Sequence, residues 1–166
     1  MIELLLAVAL GAGALSNFPK ETGGKITLPA VGTTLDGGPA VLVSAGDQLA
    51  AFRADGGSPA GFPIFLGEGE VLVGAPAAAD MDGDRRVEVA GVTAAGKVVL
   101  WGGGILPGWP VKLGARARAG AAFADVDGDG KLELVVGDER GRLHAFERSG
   151  APVHGFPLQL GKAAVT

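Results

Sequence analysis

A Phe/Trp-Pro pair recurs along the chain at Phe18-Pro19, Phe62-Pro63, Trp109-Pro110 and Phe156-Pro157, at spacings of 44, 47 and 47 residues. Gly61, Gly108 and Gly155 precede the last three pairs, and an apolar stretch closing on Leu-Gly follows them at Leu66-Gly67, Leu113-Gly114 and Leu160-Gly161. Phe52, Trp101 and Phe146 stand ahead of the same three pairs at similar distances. A repeat of this length is the feature that most constrains the fold. Each unit is one supersecondary element that cannot bury its apolar face alone and must stack on a neighbour. The period fits a four-stranded propeller blade or a two-helix solenoid unit.

The residues between the marks favour strands. Val41-Leu42-Val43, residues 87–92, 97–101, 132–136 and 142–146 are short apolar, often β-branched runs bounded by Gly and Asp. Ala95-Gly96, Arg140-Gly141 and Ser149-Gly150 supply turns between them. No 3.6-residue apolar period persists for three turns. Glycine (30) and proline (10) together make up close to a quarter of the 166 residues, which disfavours long helices. The expected class is all-β, with propeller blades of four antiparallel strands. About three blades are expected, a partial or fragment propeller, since rings usually close with about 4–8. The near-continuous apolar strands suit sheets packed on both faces. The repeats run approximately over 17–61, 62–108 and 109–155, with the start of a further one at 156–166. Remaining blades in a longer chain, or self-association of several chains, would complete the ring.

Residues 4–15 are almost all Leu, Ala, Val and Gly. The run is too short to span a membrane, which needs about 20 residues, but has the length of a signal-peptide apolar region. Ala14 and Ser16 would suit cleavage near Asn17, yet Met1-Ile2-Glu3 carries no Lys or Arg. The alternative is a residual strand, because Ile2-Glu3-Leu4 is like Leu132-Glu133-Leu134. Residues 1–16 are therefore either a signal-like segment or a strand. With 48% hydrophobic and 19% charged residues, disorder is a poor reading. The absence of cysteine excludes a disulfide scaffold and a Cys-type zinc site. A net charge of −4 and a pI near 5.1 argue against nucleic-acid binding by the whole chain.

Two repeats carry a dense acidic cluster just before a strand, at residues 80–88 and 125–133. In both, carboxylates fall at positions 1, 3, 5 and 9: Asp80, Asp82, Asp84 and Glu88, then Asp125, Asp127, Asp129 and Glu133. Four unpaired acids so close would repel one another strongly, and a hard cation resolves the repulsion. Calcium takes about 6–8 oxygen ligands from carboxylates and backbone carbonyls. The glycine after the second Asp permits a sharp wrap. Arg86 and Lys131, at position 7, would offer backbone carbonyls, and Glu88 and Glu133 would close the sphere. Two Ca²⁺ sites are expected. An EF-hand needs a bidentate Glu at position 12 and helical flanks, whereas position 12 here is Gly91 or Val136 and the flanks are strands. Magnesium is disfavoured because it prefers to keep several waters. The first repeat reads Gly32-Thr33-Thr34-Leu35-Asp36-Gly37-Gly38-Pro39 at this place, with only Asp36 remaining, and no calcium is expected there.

The segment 124–137, followed by residues 141–146 and Gly155-Phe156-Pro157, resembles the FG-GAP/VCBS-type repeats, the β-propeller repeats also seen in integrin α-subunit heads. The preceding copy carries the same features at residues 79–90, 96–101 and 108–110. The likeness covers about residues 17–166 and is strongest from 60 onward. It implies a calcium-dependent propeller blade, a secreted or cell-surface location, and ligand binding or adhesion rather than catalysis. The partner would be a protein or a glycan. Two other functional readings stand beside it: an accessory propeller of a larger secreted enzyme, and a self-assembling carbohydrate-binding lectin.

Other chemistry is sparse. His144 and His154 have no nearby nucleophile in a recognisable frame and read as structural or solvent-facing. No serine lies in Gly-x-Ser-x-Gly, and Gly102-Gly103-Gly104 lacks the Lys-Ser/Thr of a phosphate loop. Trp101 and Trp109 could stack on sugars, but Phe holds the same places in other repeats, which favours a core role. The scattered Arg116, Arg118, Arg140, Arg142 and Arg148 read as solvated faces. No catalytic residue is expected.

Overall fold

The computed structural model describes residues 20–161 other than 23. The apolar run at 4–15, and with it the choice between signal and strand, lies outside the described residues. Among the described residues twelve strands form three four-stranded antiparallel sheets. The first holds β1 (Val31–Leu35), β2 (Gly38–Ala45), β3 (Gln48–Arg53) and β4 (Ile64–Phe65) in that order. The second holds β5 (Ala77–Ala79), β6 (Glu88–Val92), β7 (Lys97–Trp101) and β8 (Val111–Lys112). The third holds β9 (Ala122–Ala124), β10 (Glu133–Gly137), β11 (Arg142–Phe146) and β12 (Leu158–Gln159). These are three blades of a β-propeller. Among the described residues no helix is long and apolar enough to cross a membrane.

Alternation along the central strands explains why one blade alone would not be stable. Val89 and Trp101 lie directly opposite each other in β6 and β7 and pack toward the first blade, with Leu42, Leu49, Ile64 and Leu66. The second and fourth pairs of that ladder place Ala90, Leu100, Val92 and Val98 in the other core, with Leu134, Val136 and Phe146 of the third blade. The middle blade is thus buried on both faces, as its near-continuous apolar runs require. Period-2 geometry sends successive side chains to opposite neighbours.

The Phe/Trp-Pro marks open the fourth strand of each blade, so hydrogen bonding divides the chain at a different phase from the sequence repeat. Leu158–Gln159, read in the sequence as opening a further repeat, pairs with β11 as the outer strand of the third blade. All three pairs share a cis peptide bond. The first two rings reach the following blade: Phe62 meets Trp101 edge-on at 4.6 Å and Trp109 meets Phe146 at 5.9 Å.

A second inter-blade contact repeats in the same register. The first residue of each third strand donates its side chain to a carbonyl in the preceding unit. Gln48 Nε2 reaches Thr22 O at 3.5 Å, Lys97 Nζ bonds Leu66 O, and Arg142 Nη2 reaches Leu113 O at 3.2 Å. Thr22, Leu66 and Leu113 each lie four residues after the aromatic of their Phe/Trp-Pro pair. Leu66 and Leu113 are buried by the blade that follows. Their equivalent, Leu160, is 68% exposed, since among the described residues no sheet packs against that side of the third blade.

Candidate metal centre

Both acidic loops connect the first and second strands of a blade. Asp80 follows β5 directly and Glu88 is the first residue of β6; Asp125 follows β9 and Glu133 begins β10. The ladders pair Ala79 with Glu88 and Ala124 with Glu133, so position 9 is fixed at the mouth of the loop by sheet register. That register also buries the two glutamates to 1% exposure beside loops that are otherwise largely exposed.

The loops fold by the same internal bonds. Asp80 Oδ1 accepts the Gly83 N–H at 2.8 Å and Oδ2 the Arg85 N–H at 2.8 Å. Asp125 does the same for Gly128 at 2.6 Å and Gly130 at 3.1 Å. Asp82 and Asp127 Oδ1 accept from Asp84 and Asp129, and Asp84 and Asp129 Oδ1 accept from Arg86 and Lys131. Glu88 Oε2 takes the Met81 N–H and Glu133 Oε2 the Val126 N–H, each at 2.9 Å. Aspartates favour such local bonds to the backbone two or three residues on. One backbone position distinguishes the loops: the left-handed φ that Gly130 adopts at 86° falls on Arg85 in the first loop, at 70°.

These bonds turn the carboxylates of positions 1, 3 and 9 inward. Oxygens of Asp80, Asp82 and Glu88 lie within 4.8 Å of one another, and so do those of Asp125, Asp127 and Glu133. Oxygen ligands about 2.4 Å from one ion stand at most about 4.8 Å apart, so each triad meets the spacing that a single hard cation requires. Asp84 and Asp129 stand outside the triads. Asp129 is ion-paired to Lys131 at 3.1 Å, and the Lys131 backbone N–H and ammonium hold its carboxyl below the usual range.

Residues 80–136 match the family model described as the FG-GAP-like repeat. The chain carries an FG-GAP-like repeat. The matched segment begins at Asp80 and ends in β10, so it takes in both acidic loops and the blade junction between them. No curated protein matches the sequence. Solved structures resemble the fold. A chain in the crystal structure of BBS1N in complex with ARL6DN, soaked with mercury, is 16% identical with a TM-score of 0.54, over 74% of this chain and 37% of that one. The lead-soaked form of that complex gives 17% identity and 0.53 over 74% and 38%. Raptor from Chaetomium thermophilum gives 14% identity and 0.54 over 80% and 12%. The chain therefore spans less than two-fifths of the length of each.

Electrostatics separate the two ends of the FG-GAP-like repeat. Burial pushes the Glu133 carboxyl up; the Val126 N–H opposes this, while Asp127, Glu147 and Asp129 push the same way as burial. Among the described residues no basic side chain is ion-paired with Asp125, Asp127 or Glu133. At the first loop Arg148 of the third blade is in place, 3.1 Å from Asp82 and 3.0 Å from Glu88. This corrects the reading of Arg148 as a solvated face; its partners lie 60 or more residues away, and nothing local marks them. Arg142 is corrected likewise. It pairs at 2.6 Å with Asp138, whose side chain is fully buried and also lies 2.9 Å from His144 Nε2. Burial alone would raise the Asp138 carboxyl, but His144, the Arg142 side chain and the Arg142 and Arg140 N–H groups together hold it far below the usual range.

Asp36, the remnant acid of the first repeat, sits in a two-residue hairpin turn with Gly37, both at positive φ, and pairs with Arg53 at 2.7 Å. Trp101 and Trp109 are buried to 5% and 7% exposure, so neither offers a face to a sugar. His144 is buried in the Asp138 cluster, whereas His154 is exposed.

Proposed function

We propose that this chain is a non-enzymatic calcium-binding propeller module that acts outside the cell, displaying loops to a protein or glycan ligand. The observation that carries the reading is the second acidic loop. Three carboxylates converge there without a basic partner, and one is a buried glutamate surrounded by like charges. Evolution of such a site without a cation would leave a desolvated charge uncompensated. Asp125, Asp127 and Glu133, with Asp80, Asp82 and Glu88 in the first loop, would hold the ions. Asp84, Asp129 and the carbonyls of Arg86 and Lys131 complete the expected oxygen set, directly or through water. A bound Ca²⁺ supplies charge neutralisation and a fixed bend.

The loop residues then act on the blade. Glu88 and Glu133 begin the second strands, so anchoring them fixes the register of β6 and β10. The result is a rigid scaffold, and binding resides on loops that such a scaffold positions. The test is thermal unfolding of the chain in chelator, in excess Ca²⁺ and in excess Mg²⁺. Native-state binding adds RT ln(1 + [L]/Kd) per site, about 2.7 kcal/mol at a hundredfold excess. A rise in Tm with Ca²⁺ and none with Mg²⁺ is expected. Equal Tm in chelator and Ca²⁺, for a folded sample, would refute the metal reading and remove the main support for a secreted binding role.

A further inference from the structure

The two acidic loops match in spacing and in internal hydrogen bonds, yet the third blade treats them differently. Arg148 lies just past β11, and its carbonyl accepts the Trp109 Nε1–H at 2.9 Å, which ties this stretch of backbone to the middle blade. From there the guanidinium crosses to the first loop. Nε lies 3.1 Å from Asp82 Oδ2 and 3.2 Å from Glu88 Oε1, and Nη2 lies 3.0 Å from the same Oε1. Two of the three converging carboxylates thus already share one cation. The other oxygen of Glu88 is taken by the Met81 N–H. At the second loop the Val126 N–H is the hydrogen-bond donor to Glu133, and Lys131 is turned to Asp129, outside the triad.

We infer that Arg148 is a resident cation of the first loop, so that the second loop is the tighter calcium site and filling the first displaces an inter-blade tether. This rests on the calcium reading above. A dication about 2.4 Å from Glu88 Oε1 would stand close to the guanidinium that now bonds that oxygen, and like charges at such separations repel strongly outside bulk water. The first triad also offers a smaller net negative charge once Arg148 is counted. Both effects weaken the first loop relative to the second. They also couple its occupancy to the junction between the second and third blades, because Glu88 begins β6 whereas Arg148 follows β11.

The experiment is calorimetric titration of CaCl₂ into the chelator-stripped full chain, as wild type, D127N, D82N, R148Q and R148K. Wild type should show two steps whose Kd values differ tenfold or more. D127N should lose the tight step and keep the weak one, and D82N the reverse. R148Q should tighten the weak step at least tenfold without moving the tight one, with R148K between. A readout independent of titration is the melt in chelator, where R148Q should unfold below wild type because the tether is gone. Two steps of equal affinity in wild type would overturn the inference. So would an R148Q weak step that is unchanged or weaker, which would make Arg148 an organiser of the site. Should R148Q fail to fold, R148K carries the same comparison. No binding by any folded variant would refute the calcium reading itself.

Discussion

Replacing Glu133 with glutamine separates the burden of a buried carboxylate from its use. The glutamate is 1% exposed, and its neighbours Asp127, Asp129 and Glu147 all carry its own sign. Gln keeps an oxygen to accept the Val126 N–H, now at 2.9 Å, and discards the charge. In chelator, Glu133→Gln should therefore equal wild type or exceed it by up to about 2 kcal/mol. The folded-state pKa of Glu133 is raised, so the folded chain holds this proton more tightly than the unfolded one. Wild type in chelator should then gain stability as pH falls through the region just above the ordinary carboxylate value, and the variant should lack that gain. Calcium reverses the order. At a hundredfold excess over Kd the second loop gives wild type about 2.7 kcal/mol. If loss of the anionic ligand weakens binding about a hundredfold, the variant keeps only about 0.4 kcal/mol. At roughly 2–4 °C per kcal/mol for a chain of this size, the second loop's share of the calcium shift in Tm should be about 5–11 °C in wild type and about 1–2 °C in the variant, on top of a first-loop share common to both. Calorimetric or circular-dichroism melts measure both. A variant clearly less stable than wild type in chelator, with an unchanged calcium shift, would refute the reasoning and make Glu133 a structural acceptor.

Asp138→Asn should lower urea stability by about 2–4 kcal/mol at pH 7, since its amide cannot accept from Arg142, Arg140 and His144 together. Because the folded-state pKa of Asp138 is depressed, its contribution is present above about pH 4 and lost as pH falls through the folded value; the gap to the variant should narrow in acid. Arg85→Gly should stabilise the chain by about 1 kcal/mol in chelator melts, because Arg85 holds a left-handed φ that the second loop assigns to glycine. Gly74→Ala should cost roughly 1–3 kcal/mol in urea unfolding, since its Cβ would stand 2.2 Å from the Gly120 backbone nitrogen on the approach to the third blade.

Much of the architecture was legible because it is written in local, periodic chemistry. A 47-residue repeat of Gly-Phe/Trp-Pro and Leu-Gly, with short apolar runs between, admits a stack of strand units, and three four-stranded sheets are found. The acidic spacing placed Asp80, Asp82 and Glu88 around one point because alternate loop residues and the first strand residue can meet only if the chain wraps. The phase of the blades was less legible. The repeat marks recur at any choice of cut, and only hydrogen bonding shows that Phe62, Trp109 and Phe156 lead into outer strands.

The sequence by itself determined the strand class, the repeat length, the two loops and the absence of their pattern from the first repeat. All are properties of neighbours along the chain, governed by side-chain periodicity, turn chemistry and carboxylate spacing. Tertiary structure alone decided which charges are shared across blades. Arg148 meets Glu88 across 60 residues, and Arg142 reaches back 29 residues to Leu113 O. A long basic side chain carries no periodic signature, and its partner is whichever carboxylate or carbonyl the packing of two sheets brings within reach. For that reason the two loops, alike in sequence, stand in different electrostatic surroundings.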